Sequence, residues 1–128
     1  MTVKGKVLLM DDEQIILDVT QEVLNFLGYE VMFAREGQAA IEIYKREKSA
    51  GAPFDVVILD LSVPDGMGGK EAIGLLKAFD PGVKAVVSTG YSNDPVVMDY
   101  ASFGFSGKLS KPYKIKDLKQ VLEQFIKK

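Results

Sequence analysis

The feature that most limits what this chain can fold into is a fivefold alternation between short apolar runs and amphipathic stretches of helical period. Lys6-Val7-Leu8-Leu9-Met10 is a nearly continuous apolar run with charge on both sides, the pattern of a strand buried on both faces. After Asp11-Asp12-Glu13, residues Ile15, Ile16, Val19, Val23, Leu24 and Leu27 recur at helical spacing, and Gly28 closes the stretch. The pattern then repeats, with a strand over Tyr29 to Ala34, a helix over Gly37 to Ala50 and the most hydrophobic strand over Phe54 to Leu59. The Gly- and Pro-rich loop Ser62 to Gly69 follows, then a helix over Lys70 to Phe79 that Pro81-Gly82 breaks. Lys84 to Ser88 predicts a fourth strand, and Asp94 to Phe103 a helix with Pro95 in its first turn, where proline is tolerated. The fifth unit is a strand over Phe105 to Ser110, interrupted by Gly107, then Lys111-Pro112 and a helix with Ile115, Leu118, Val121, Leu122, Phe125 and Ile126 on one stripe.

Five strands alternating with five helices imply an α/β fold, a doubly wound parallel sheet, because right-handed crossovers place helices on both faces. The common order for five units is 2-1-3-4-5, with strand 1 between strands 2 and 3. No linker or low-complexity segment divides the chain, so residues 1–128 read as a single domain. A domain of this size buries roughly two-thirds of the surface its unfolded chain would expose, enough for a core without disulfides or structural metal.

Composition narrows the chemistry. With no cysteine and no histidine there is no disulfide, no thiolate–imidazole zinc site, no Cys nucleophile and no histidine base, so any reaction rests on carboxylates, lysines, hydroxyls or backbone groups. No apolar run approaches the ~20 residues of a membrane span, and Lys4 and Lys6 interrupt the first ten residues, so a cytoplasmic location is expected. Sixteen basic against eighteen acidic groups argue against direct nucleic-acid binding. The charge is uneven: residues 1–30 hold two Lys against six acids, and residues 108–128 hold seven Lys against two, which reads as a solvated lysine face on the last helix.

In an open parallel sheet, ligands bind beyond the carboxyl ends of the strands where the order reverses, here between strands 1 and 3. Asp11 and Asp12 follow strand 1, Asp60 ends strand 3, Ser88-Thr89-Gly90 ends strand 4 and Lys111-Pro112 ends strand 5. Singly, each has a plain structural explanation: Asp11 or Asp12 as a helix N-cap, Thr89 as a cap at the next helix, Lys111 as a solvated lysine. Asp60 is harder to explain that way, because no helix starts directly after it. Two carboxylates ~4 Å apart repel by roughly 4 kcal/mol at an effective dielectric of about 20, so three on one rim need positive charge. An all-oxygen set of this kind suits Mg²⁺, which keeps waters and takes a phosphate oxygen. Lys111 adds an ammonium, and a cation, a lysine and a threonine hydroxyl together suit a phosphoryl group, with the central carboxylate as nucleophile.

The motifs Leu8-Leu9-Met10-Asp11-Asp12-Glu13, Val57-Ile58-Leu59-Asp60-Leu61-Ser62-Val63-Pro64, Val87-Ser88-Thr89-Gly90 and Lys111-Pro112 resemble, in order and over essentially the whole chain, the receiver domain of two-component response regulators. The resemblance implies a flavodoxin-like fold and a signalling domain that is not an enzyme but assists its own phosphorylation and dephosphorylation. Asp60 would be the phosphoacceptor, charged from a phosphohistidine on a histidine kinase or histidine phosphotransfer domain. Asp12, Asp60 and the Ser62 carbonyl would ligate Mg²⁺, with Asp11 acting through water. Thr89 would turn toward the phosphoryl group, Lys111 would pair with it, and the Lys111-Pro112 bond would be cis. A monomer or weak dimer is expected.

Three positions depart from the commonest family pattern. Lys108 stands three residues before Lys111, where an aromatic ring usually switches; Gly90 follows Thr89 where Ala is commoner; and Pro64-Asp65-Gly66-Met67-Gly68-Gly69 replaces the usual loop. That loop, with Ser88-Thr89-Gly90-Tyr91-Ser92-Asn93-Asp94 and Gly104-Phe105-Ser106-Gly107, is most similar to receivers at the C-terminus of hybrid sensor histidine kinases, which implies an excised piece; a stand-alone regulator is the other reading. Three alternatives compete. A phosphohydrolase of the haloacid dehalogenase type calls for Asp-x-Asp, where Asp60-Leu61-Ser62 has Ser, and for a cap domain. A flavodoxin-like cofactor binder would set its phosphate against the acidic Asp11-Asp12-Glu13. A receiver-like interaction module that is never phosphorylated would keep the same residues without using them.

Overall fold

Strand β1 (Gly5–Met10) has all six residues buried, the apolar Val7–Met10 on both faces and Lys6 through its contacts with Glu47 and the Ala52 carbonyl. The computed structural model describes residues 3–90 and 93–126. The remaining elements are α1 (Gln14–Phe26), β2 (Tyr29–Ala34), α2 (Gly37–Ser49), β3 (Val56–Asp60), α3 (Gly69–Phe79), β4 (Ala85–Thr89), α4 (Pro95–Met98), β5 (Gly107–Ser110) and α5 (Ile115–Phe125). All strands pair in parallel, in the order β2-β1-β3-β4-β5, as the alternation predicted.

Side chains alternate across the sheet and build two cores. Leu8, Met10, Val57, Leu59, Ala85 and Val87 meet Ala40, Ile41 and Tyr44 of α2 and Ala72, Ile73 and Leu76 of α3. Val7, Leu9, Val56, Ile58, Val86 and Leu109 meet Leu17 and Leu24 of α1 and Leu118 and Leu122 of α5. Each fully buried Leu or Ile contributes about 1.5–3 kcal/mol relative to exposure, so both faces are strongly held. Gly28 turns the chain from α1 into β2 at φ 101°, a left-handed conformation that a side chain would strain.

Two segments differ from the sequence reading. Asp94 to Phe103 is not one helix: α4 is a single turn, Asp99 breaks it at φ −129° and ψ 50°, and Tyr100–Phe103 forms a 3-10 turn. The buried residues of α4 are the adjacent Val96 and Val97, and Met98 is exposed. Val96, Val97, Tyr100 and Phe103 keep a helical spacing and pack on the same core on either side of the break, so the interruption is local to Asp99. The fifth strand starts at Gly107, and Phe105 is buried ahead of it rather than within it. Of the quoted loop motif, Tyr91 and Ser92 lie outside the described residues. The lysines Lys108, Lys114, Lys116 and Lys119 are exposed, as a solvated basic face requires.

Candidate functional site

Strand alternation carries one face past the ends of the strands. Asp11 continues from Leu9, Asp60 from Ile58, Ser88 from Val86 and Lys111 from Leu109, each two residues on from a side chain of the α1/α5 core. The β1–β3 register sets Met10 opposite Leu59 and so brings Asp11 beside Asp60. Carboxylate oxygens of Asp11, Asp12 and Asp60 lie within 4.8 Å of one another. Asp11 and Asp60 are 0% and 2% exposed, so their repulsion is poorly screened.

Lys111 answers that charge. Its Nζ donates to Asp11 Oδ2 at 3.0 Å and pairs with Asp60 Oδ1 at 3.3 Å. Its side chain is only 15% exposed, which excludes a solvated lysine. Burial pushes the Asp60 carboxyl up to about 6 and the charge of Asp11 adds to the rise, while Lys111 and the Ser62 N–H pull the other way. Burial lowers Lys111, but its bonds and charge pairing with Asp11 and Asp60 outweigh that and leave it above the ordinary lysine value. Three carboxylates against one ammonium leave an excess of negative charge on an all-oxygen donor set, which fits a hard divalent cation.

The neighbouring backbone is fixed as well. Asp11 Oδ1 accepts from Glu13 N at 3.0 Å, whereas the N-cap of α1 is Glu13 with no side-chain cap, so Asp12 is not a helix cap. The cap of α4 is Asp94, whose Oδ1 accepts from Val96 N at 2.9 Å, which leaves no capping role there for Thr89. Thr89 is 4% exposed, and its carbonyl accepts from Lys111 N at 2.8 Å. The Lys111-Pro112 bond is cis. Asp12, Asp60, Ser62, Thr89, Gly90 and Lys111 line a cleft of about 590 Å³, with Asp11 beneath them. Among the described residues nothing lies within 4 Å of a Cβ placed on Gly90.

Further contacts around the site have no signal in the sequence pattern. Arg35 Nη2 donates to the Asp12 carbonyl at 3.0 Å, and its Nη1 donates to Gln14 Oε1. Glu36 caps α2 through Gln38 N and Ala39 N and also accepts from Met67 N at 3.4 Å, while Gly37 N donates to Met67 O at 2.7 Å, tying down the loop after β3. Gly68 lets that loop close, since a Cβ there would sit 2.5 Å from Leu61 O. The Tyr113 hydroxyl hydrogen-bonds Ser88 Oγ. Ser88 was legible as the one polar side chain continuing Val86 on its face; Tyr113, beyond the last strand, carries no comparable signal.

Fold and site together define an α/β protein whose switch-point pocket is built from carboxylates and closed by a lysine. The family model described as "Response regulator receiver domain" matches residues 7–123, and the chain belongs to that family, the receiver domains of two-component systems. It is 26% identical to sporulation initiation phosphotransferase F of Bacillus subtilis over 94% of this chain and 93% of that protein. It is 28% identical to the sensor kinase CckA of Brucella abortus, covering 95% of this chain but 12% of the kinase. Among solved structures it superposes with a TM-score of 0.84 on the receiver domain of sensor histidine kinase PA1611 from Pseudomonas aeruginosa, at 22% identity over 97% of this chain and 98% of that one. That structure is described with a magnesium ion coordinated in its active-site cleft. Receiver domains are signalling modules, which sets aside the phosphohydrolase and cofactor-binding readings. Among the described residues no helix is long and apolar enough to cross a membrane.

Proposed function

We propose that Asp60 is the phosphoacceptor, with Asp11, Asp12, the Ser62 carbonyl, Thr89 and Lys111 as its supporting groups, and that residues 1–128 act as one receiver unit. The observation that carries this is the contact of Lys111 with both buried carboxylates, Asp11 and Asp60, inside a cluster of three. A carboxylate oxygen of Asp60 forms the bond to phosphorus and the P–N bond to the donor's imidazole breaks. The electron pair leaves with the nitrogen, which takes a proton from solvent. Asp12, Asp60 and the Ser62 carbonyl would hold Mg²⁺, which neutralises charge on the transferring oxygens. Lys111 shifts part of its contact from Asp60 to a phosphoryl oxygen, and the Thr89 hydroxyl donates to another. Water reaching the same centre through the cleft hydrolyses the aspartyl phosphate, releasing phosphate and restoring the carboxylate.

The donor is a phosphohistidine on a histidine kinase or phosphotransfer domain, and it is a separate domain or protein, because this sequence contains no histidine. A cytoplasmic setting goes with this reading, since such donors are charged from ATP. Similarity to a sensor kinase of which this chain spans 12% supports a hybrid kinase as parent. Incubation with acetyl phosphate and Mg²⁺ followed by intact mass measurement tests the assignment. One added phosphoryl group that disappears in Asp60→Asn is expected. No adduct, or one that survives the substitution, overturns it and leaves an interaction module that is never phosphorylated.

A further inference from the structure

The reading above gives Tyr113 no role, yet its hydroxyl bonds the residue that stands beside Asp60 in the sheet. Its partner Ser88 is 0% exposed and is the register partner of Asp60 across the β3–β4 pair, on the same face of the sheet. Burial raises the phenol above its ordinary pKa, the Ser88 bond draws it partly back, and the charges of Asp11 and Asp60 add to the rise, so the hydroxyl stays protonated and close enough to sense both carboxylates. On its other side the ring packs against the α1/α5 core and lines an apolar groove with Ile16, Val19 and Leu118.

The segment from Lys111 to Tyr113 is therefore tied to the end of β4 at both ends. Lys111 N donates to Thr89 O at 2.8 Å, and the Tyr113 hydroxyl bonds Ser88 Oγ one residue away. Between those ties the Lys111 ammonium spans Asp11 and Asp60. The position of that backbone sets where the Lys111 stem starts, and so how its ammonium divides between the two carboxylates. The exposed Lys108 offers no ring from β5, so the aromatic support comes from the far side of Lys111 instead.

We propose that Tyr113 is a positioning residue for phosphoryl transfer, acting through Ser88 to hold the Lys111 segment against β4; this rests on Asp60 being the phosphoacceptor. The test compares wild type, Tyr113→Phe, Ser88→Ala and the double variant with acetyl phosphate and Mg²⁺. Both the saturating rate and the donor concentration at half-saturation are measured, with thermal unfolding as a check on folding. Each single variant is expected to lower the saturating rate about fivefold with half-saturation unchanged, as a misplaced catalytic group does. The double variant should lose no more than either single one, since one bond is removed in each case. A purely structural tie would lower the melting temperature and leave the rate of the folded protein at the wild-type value. That result, or losses that multiply in the double variant, overturns the proposal. A wild type that takes no phosphoryl group overturns both this inference and the phosphoacceptor assignment. A normal Tyr113→Phe beside an inert Asp60→Asn overturns this one alone.

Discussion

Lys111 Nζ lies 3.0 Å from Asp11 Oδ2, a contact across a hundred residues of sequence in which the carboxylate is fully buried. Removing one member of a buried pair leaves the other uncompensated, which costs far more than the pair itself contributes. Lys111→Met is expected to destabilise the protein in EDTA by about 2–4 kcal/mol, read by urea unfolding. Mg²⁺ should return much of that stability by binding the same carboxylates, while phosphorylation stays abolished. Equal stability of variant and wild type in EDTA would show that the ammonium does not compensate the site.

The raised pKa of Asp60 has a definite sign. Its carboxyl titrates near 3.8 when unperturbed and about 6 when folded, so folding favours the protonated form. Its stability contribution is fully present below pH 3.8 and is lost as pH rises through 6. The rise corresponds to roughly 3 kcal/mol at most. Asp60→Asn should therefore gain stability over wild type in EDTA between pH 4 and about 6.5 and keep the advantage above that. Mg²⁺ affinity should fall as pH drops through about 6, because protons compete for the same oxygens. Parallel stability profiles for the two proteins would refute the assignment of this titration to Asp60.

Asp12 separates a metal ligand from a helix cap. Because the N-cap of α1 is Glu13 with no side-chain bond, Asp12→Ala should change stability in EDTA by less than about 0.5 kcal/mol. Mg²⁺ binding, followed by calorimetric titration, should weaken by at least tenfold, on the order of 1.4 kcal/mol. A loss of about 1 kcal/mol in EDTA with Mg²⁺ affinity intact would restore the capping role.

Gly68 tests the loop that carries Ser62. A methyl group there meets the Leu61 carbonyl at 2.5 Å, backbone that cannot swing aside. Gly68→Ala should cost about 1–3 kcal/mol and weaken Mg²⁺ binding, because Leu61 adjoins both Asp60 and Ser62. Gly90→Ala, with no described residue within 4 Å of the added methyl, should stay within about 0.5 kcal/mol of wild type.

The apolar runs carried most of the fold into view, because a strand buried on both faces is apolar along most of its length, as Val7–Met10 of β1, Val56–Leu59 of β3 and Ala85–Val87 of β4 are. The ends of β1, β3 and β5 also located Asp11, Asp12, Asp60 and Lys111, since parallel strands deliver their last residues to one rim. The α4 segment was less legible, because Val96, Val97, Tyr100 and Phe103 keep a helical spacing through Asp99 and no Gly or Pro marks the break. Tyr113 and Arg35 act through tertiary contacts with segments 25 and 23 residues away, and periodicity along the chain has no register for such pairs.

The brevity of α4 bears on how this molecule could respond. Its turn is held by a few backbone bonds, among them Met98 N to Asp94 O at 2.9 Å and Asp99 N to Pro95 O at 3.1 Å. Rearranging that edge means exchanging those bonds for solvent rather than melting a long helix, and each is worth about 1 kcal/mol net. Alternative shapes of this rim therefore lie close in free energy, and its amides should be among the first to exchange with deuterium. A covalent charge placed beside such a shallow basin needs only a modest preference for one shape to redistribute the ensemble.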